Sequence, residues 1–170
     1  MLVISGPVGA GKTTIAGEIG VLLRDANLPH AIVDLAVIGE CWPPPADDPW
    51  NERLVHRNLA AMWNQFRDAG ARRLVLCRVL EDRALLRHVR GAVPGADITV
   101  VHLRVPLQTL HARLRQREGG RDPSWYLDAA SYLSRTMQPA ELADHVMDND
   151  TRPARAVAAD ILSRVGWLPD

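Results

Sequence analysis

The sequence predicts an α/β fold in which a sheet of parallel strands alternates with helices and is covered on both faces. Three observations carry that expectation. Five short, apolar, β-branched runs are separated by segments of helical period. Most of the runs are too continuously apolar to leave one face in water, as buried parallel strands require. A glycine-rich stretch, GPVGAGKTT at residues 6–14, joins the first run directly to the first helical segment.

Taken in order, MLVIS (1–5), HAIVDL (30–35), RLVLCRV (73–79), DITVVHLRV (97–105) and HVMD (145–148) are the five expected strands. Helices are expected at 12–26, 51–69, 82–91, 106–118, 124–138 and 153–165. Each carries apolar residues three and four apart, as Leu107, Leu110 and Leu114 do. The nearest thing to a break in composition is CWPPPADDPW (41–50), whose four prolines prevent a helix and favour extended backbone. No internal repeat or low-complexity tract is present.

A chain of 170 residues with 47% hydrophobic content buries one sizeable core, so a single domain over 1–170 is expected. Twenty acidic and twenty basic residues give a formal charge of zero, and the basic side chains are dispersed. That distribution is no electrostatic footprint for nucleic acid. Cys41 and Cys77 show neither CxxC nor metal-ligand spacing and read as ordinary thiols of a reducing compartment. With no charged leader and no long apolar stretch, the expectation is a cytoplasmic chain without a membrane partner.

Lys12 is the only lysine; the other nineteen basic residues are arginine. It lies within G-x-x-x-x-G-K-[ST], formed by Gly6, Gly11, Lys12 and Thr13, after a predicted strand and at the start of a predicted helix. Glycines at 6, 9 and 11 permit backbone conformations that turn successive N–H groups toward phosphate oxygens, and the helix adds its positive end. A lysine supplies a compact charge on a flexible stem that reaches β- and γ-phosphates, where the broad fork of arginine does not fit. Thr13 offers a hydroxyl to Mg²⁺. Val8, Ala10 and Thr14 complete the expected cofactor-binding set, Thr14 as a residue of the first helical turn.

Asp34 ends the second strand, and the carboxyl ends of strands line the ligand crevice of open parallel sheets. There it can accept the proton of an attacking hydroxyl or hold a metal-bound water; capping a turn is the other reading. The third strand lacks the usual apolar run ending in Asp, and Arg78 and Glu81 are the polar residues near its end. Glu81 is a rival magnesium or base residue, or the start of the next helix. In LHARLRQREGGRDP (110–123), Arg113 and Arg117 are four apart on a face opposite the leucine stripe, ahead of a Gly-Gly break. They read either as arginines of a closing lid or as a solvated helix end favoured by its dipole.

Together GPVGAGKTT, Asp34, RLRQREGG and HVMDNDTRP make the sequence resemble the small P-loop kinases of the gluconate, shikimate and chloramphenicol phosphotransferase type, with nucleoside monophosphate kinases as cousins. The resemblance implies a three-layer α/β/α P-loop NTPase fold with strand order 2-3-1-4-5 and a helical lid over 113–138. It implies ATP and Mg²⁺ as cofactors, with Lys12, Asp34 and Arg117 catalytic and Asp34 on the acceptor hydroxyl. It also implies Arg113 at the nucleotide and the loop around Asp148 to Arg152, with Asp150 and Arg152 as contacts, beside the adenine.

Residues 41–72, the expected acceptor-binding segment, match no substrate motif. Glu40, Arg53 and Arg57 are its candidate substrate contacts; the two arginines, four apart, suit a carboxylate or phosphate or form a solvated helix face. Trp42 and Trp50 stack on a ring or anchor the loop. His56, His88, His102, His111 and His145 show no metal spacing. The expected activity is therefore transfer of the γ-phosphoryl group of ATP to a hydroxyl of a small molecule, by a monomer or homodimer. A nucleoside monophosphate kinase and a nucleotide-binding regulatory ATPase are the alternatives.

Overall fold

The structure is a computed structural model and describes residues 1–168, so the last two residues of the expected 1–170 domain lie outside it. Five strands form one sheet: β1 (Leu2–Ser5), β2 (His30–Asp34), β3 (Arg73–Cys77), β4 (Thr99–Arg104) and β5 (His145–Asp148). Their order is β2-β3-β1-β4-β5 and every pairing is parallel, as the sequence resemblance implied. Helices connect them as α1 (Lys12–Asp25), α2 (Glu52–Asp68), α3 (Leu86–Ala92), α4 (Leu107–Glu118), α5 (Ser124–Thr136), the short α6 (Pro139–Leu142) and α7 (Ala154–Arg164).

Alternation along the strands sends successive side chains into two separate cores. Leu2, Ile4, Val101 and Leu103 pack with Ile15, Ile19 and Leu23 of α1 and Ile161 of α7 on one face. Val3, Val33, Leu74 and Leu76 pack with Leu59 of α2 and Leu86 and Val89 of α3 on the other. With both faces covered, β1 is buried along its whole length. Because β1 lies between β3 and β4, the loop leaving it opens where the strand order reverses, the place where open α/β sheets bind ligands.

Two elements differ from the sequence reading. The helix expected from residue 82 starts as a 3₁₀ turn, Arg83–Leu85, because the Asp82 carboxylate accepts a hydrogen bond from the Ala84 amide at 2.7 Å and fixes a tight first turn. The helix expected over 124–138 ends at Thr136, and Pro139 opens α6 at its first position, where a missing N–H costs nothing.

Candidate active site

Residues 6–11 leave β1 and turn sharply into α1. Gly6 has φ of 141°, and a Cβ there would meet the Leu103 carbonyl oxygen at 2.9 Å; Gly11 has φ of 88° and closes on Asn149. Only glycine fits both constraints. The free amides of the first turn of α1 lie at the loop's mouth, where an anion is favoured.

Lys12 folds back over this loop. Its Nζ donates to the carbonyls of Gly6 at 2.9 Å and Pro7 at 3.0 Å. Burial pushes its ammonium down to about 8, against smaller raising contributions from Cys77 and Asp34, while Arg117 adds a lowering one. In the same sheet, burial pushes the Cys77 thiol up to about 12 and the His102 ring down to about 4, so both stay neutral near pH 8. Lys12 is thus poised to gain from an anion that restores its charged form.

Beside it, Asp34 at the end of β2 is held through both oxygens. Its Oδ2 accepts from the Thr13 hydroxyl at 2.8 Å and its Oδ1 from the Ala36 amide at 3.0 Å. Thr13 and Asp34 therefore present two hard oxygen donors side by side, a set that suits Mg²⁺ completed by waters and phosphate oxygens. No group of three or more His, Cys, Asp or Glu able to hold a metal gathers among the described residues.

A cavity of about 680 Å³ opens over these groups. Val8, Gly9, Gly11, Lys12, Thr13 and Thr14 line its end over the glycine-rich loop, and Asp34, Arg113 and Arg117 line it as well. Arg113 Nη2 donates to the carbonyls of Asn149 at 2.9 Å and Asp150 at 3.0 Å. Arg117 lies 4.6 Å from the centroid of the Tyr126 ring and donates from Nε to Glu118 at 2.9 Å. Gly6 and Ala10 form the base of the loop, Ala10 fully buried.

Other expected contacts lie elsewhere. Arg152 pairs with Asp160 at 3.0 Å and braces α7. Glu40 is exposed in the turn after β2, and Glu81 is exposed in the loop after β3; neither lines the cavity. Arg53 and Arg57 face a separate groove between α2 and α3, with Arg53 ion-paired to Asp47. Trp42 and Trp50 are 90% and 84% exposed, so neither packs as an anchor or lines the cavity.

The sequence reading notes Arg78 without giving it a role and does not name the other residues that fill those places. Arg78, Val79 and Ala36 wall the cavity beside Asp34, and Trp125 and Tyr126 of α5 close it from the other side. Arg78 Nη2 is gripped by both carboxylate oxygens of Glu52, each at 2.7 Å. A charged residue at the carboxyl end of a buried strand was the available signal for Arg78. Asn149 lies in the loop expected beside the adenine but is given no role of its own by the sequence reading: buried, it donates from Nδ2 to the Ala10 carbonyl at 2.7 Å and ties the loop after β5 to the glycine-rich loop.

Two outcomes follow from this geometry. Asn149→Ala strands the buried Ala10 carbonyl, and thermal unfolding should show a loss of about 1–3 kcal/mol with weaker nucleotide binding. The second concerns pH. The unfolded chain holds the Lys12 proton up to its ordinary value of 10.5, so between about 8 and 10.5 this group's contribution to stability rises with pH. Phosphate binding needs the charged form and runs the opposite way. ADP affinity measured by calorimetry should weaken roughly tenfold between about pH 8 and 9.5, and Lys12→Met should remove that dependence.

A phosphate loop at the switch point of a 2-3-1-4-5 parallel sheet, with arginines on a helical cover, defines the fold of the small P-loop kinases. Proteins similar to the chain in sequence or in fold include several kinases. It is 27% identical to a shikimate kinase of Pseudomonas fluorescens (strain Pf0-1), in an alignment covering 99% of this chain and 97% of that one. It superposes on a gluconokinase from Sinorhizobium meliloti 1021 with a TM-score of 0.59 at 19% identity, covering 99% and 97% of the two chains. The Mycobacterium tuberculosis APS kinase, solved with AMPPNP and APS, gives a TM-score of 0.63 at 20% identity, covering 97% and 96%. No family model matches the sequence.

Proposed function

We propose that this chain is an ATP-dependent phosphotransferase that moves the γ-phosphoryl group of ATP to a hydroxyl of a small molecule. The observation that carries this reading is the convergence of Lys12 and Thr13 from the start of α1 and Asp34 from the end of β2 with Arg113 and Arg117 of α4 in one cavity. Lys12 exchanges its two loop carbonyls for phosphate oxygens, and the loop amides orient the polyphosphate. Asp34, fixed by Thr13 and Ala36, accepts the proton of the acceptor hydroxyl as that oxygen attacks phosphorus. Arg117 offsets charge on the transferred group, and Trp125 and Tyr126 exclude water that would otherwise hydrolyse ATP.

Thr13 and Asp34 are the residues that would hold Mg²⁺, whose charge supports the phosphate oxygens when it is bound. The acceptor lies against Ala36, Arg78 and Val79. Within 41–72, Glu52 contributes by holding Arg78 in that wall. Arg113 and the Asn149–Asp150 backbone border the nucleotide. The nucleoside monophosphate kinase alternative needs Arg53 and Arg57 at the acceptor, and neither lines this cavity. A cytoplasmic setting, as monomer or homodimer, fits a chain that uses ATP and carries two free thiols; no helix among the described residues is long and apolar enough to cross a membrane.

The test is ADP release by purified protein against pools of sugar acids, nucleosides, nucleoside monophosphates and hydroxylated antibiotics. One pool should stimulate release strongly. Slow release indifferent to every pool, with a nucleotide-dependent change in association state, would replace this reading with the regulatory ATPase.

A further inference from the structure

We infer that the groove between α2 and α3 is a second binding site, for a phosphate group either free or esterified to a small molecule. The groove has a volume of about 510 Å³ and shares no lining residue with the phosphate-loop cavity. Arg53, His56 and Arg57 of α2 face Arg87 and His88 of α3 across it, with Glu52 at one end. The site stands whether or not the phosphotransferase reading does.

Its charges are unbalanced. Glu52, the one carboxylate lining the groove, is committed to Arg78 at 2.7 Å, and Arg53 is paired with Asp47 outside it. Among the described residues no carboxylate is paired with Arg57 or Arg87. Two guanidiniums therefore flank a small groove with no anion between them, although the chain as a whole has zero formal charge.

A buried imidazole atom points to the same conclusion. His56 Nδ1 lies 2.6 Å from the Glu52 carbonyl, which can only accept, so Nδ1 carries the hydrogen. Nε2 is then buried with no partner among the described residues. Its ring sits 5.2 Å from that of His88. Burial is the main influence holding the His56 ring below its ordinary value, and Arg78 and His88 add to it. A phosphate supplies what is missing on both counts. Its oxygens accept from the forks of Arg57 and Arg87, and it either accepts from a protonated His56 or donates a P–OH to the neutral ring.

The test follows the histidine ring protons by NMR in the full chain, with ADP in excess to fill the phosphate loop. Inorganic phosphate and methyl phosphate are titrated separately at constant ionic strength. The His56 and His88 signals should move together and saturate with at least one of the two; a preference for methyl phosphate assigns the site to an esterified ligand. Arg87→Gln combined with His88→Gln, both at exposed positions, should weaken the effect on His56 at least about tenfold and leave ADP affinity unchanged. Signals unmoved by about 20 mM of either probe, equal movement with chloride, or a variant that binds as the wild type would overturn the proposal.

Discussion

Lys12→Met is expected to lower kcat by at least about 10³-fold, or roughly 4 kcal/mol of barrier, while leaving the protein as stable as the wild type or more so. Both halves come from one fact. The ammonium is desolvated and satisfied by two loop carbonyls, at 2.9 and 3.0 Å, with no carboxylate directly against it. Burial weakens its charged form in the free protein, so removing it does not cost the fold a net attraction. In the reacting complex the same charge meets phosphate oxygens in a site sheltered from water, where it is worth far more than in solvent. Single-turnover kinetics alongside thermal melts separate the two effects. A variant that loses activity and stability together would mean that Lys12 is a structural tether of the loop.

Asp34→Asn is the second large effect. Removing a positioned general base costs about 10²–10⁴-fold in rate. The amide has nearly the same shape and keeps an oxygen for the Ala36 amide, which now lies 3.0 Å from Oδ1, so folding should be little changed. The loss should fall on kcat. A variant that instead raised the ATP requirement while keeping kcat would place Asp34 at the nucleotide and remove it as the base.

How much of this was legible in the sequence differs from residue to residue. The phosphate loop could be read because its chemistry is local: Gly6, Gly11, Lys12 and Thr13 lie within eight consecutive positions, and the strand and helix that frame them show in the apolar pattern. Asp34 could be read because a strand's carboxyl end has a known place in a parallel sheet. Arg78 sits one residue beyond Cys77, the register partner of Asp34. The expected strand order set β2 beside β3, but the register that puts Arg78 next to Asp34 and the grip of Glu52 from α2 are tertiary facts. Trp125 and Tyr126 reach the cavity only because α5 folds back along α4 after Gly119 and Gly120.

Arg53 and Arg57 illustrate the opposite case. Their spacing was read correctly as one helix face, but Val55 and Leu59 fix the rotation of α2 by burying themselves against the sheet. That rotation turns Arg53 and Arg57 toward α3. Helix phase about its axis is set by tertiary packing, which the local pattern gives only to within a face.

The most direct test of the central claim follows the γ-phosphoryl group itself by ³¹P NMR, in a reaction of ATP with whichever acceptor pool stimulates ADP release. The account predicts a new phosphomonoester signal that grows in step with ADP in the wild type and nearly vanishes in Asp34→Asn. ADP accompanied only by inorganic phosphate, at equal rates in both proteins, would contradict it.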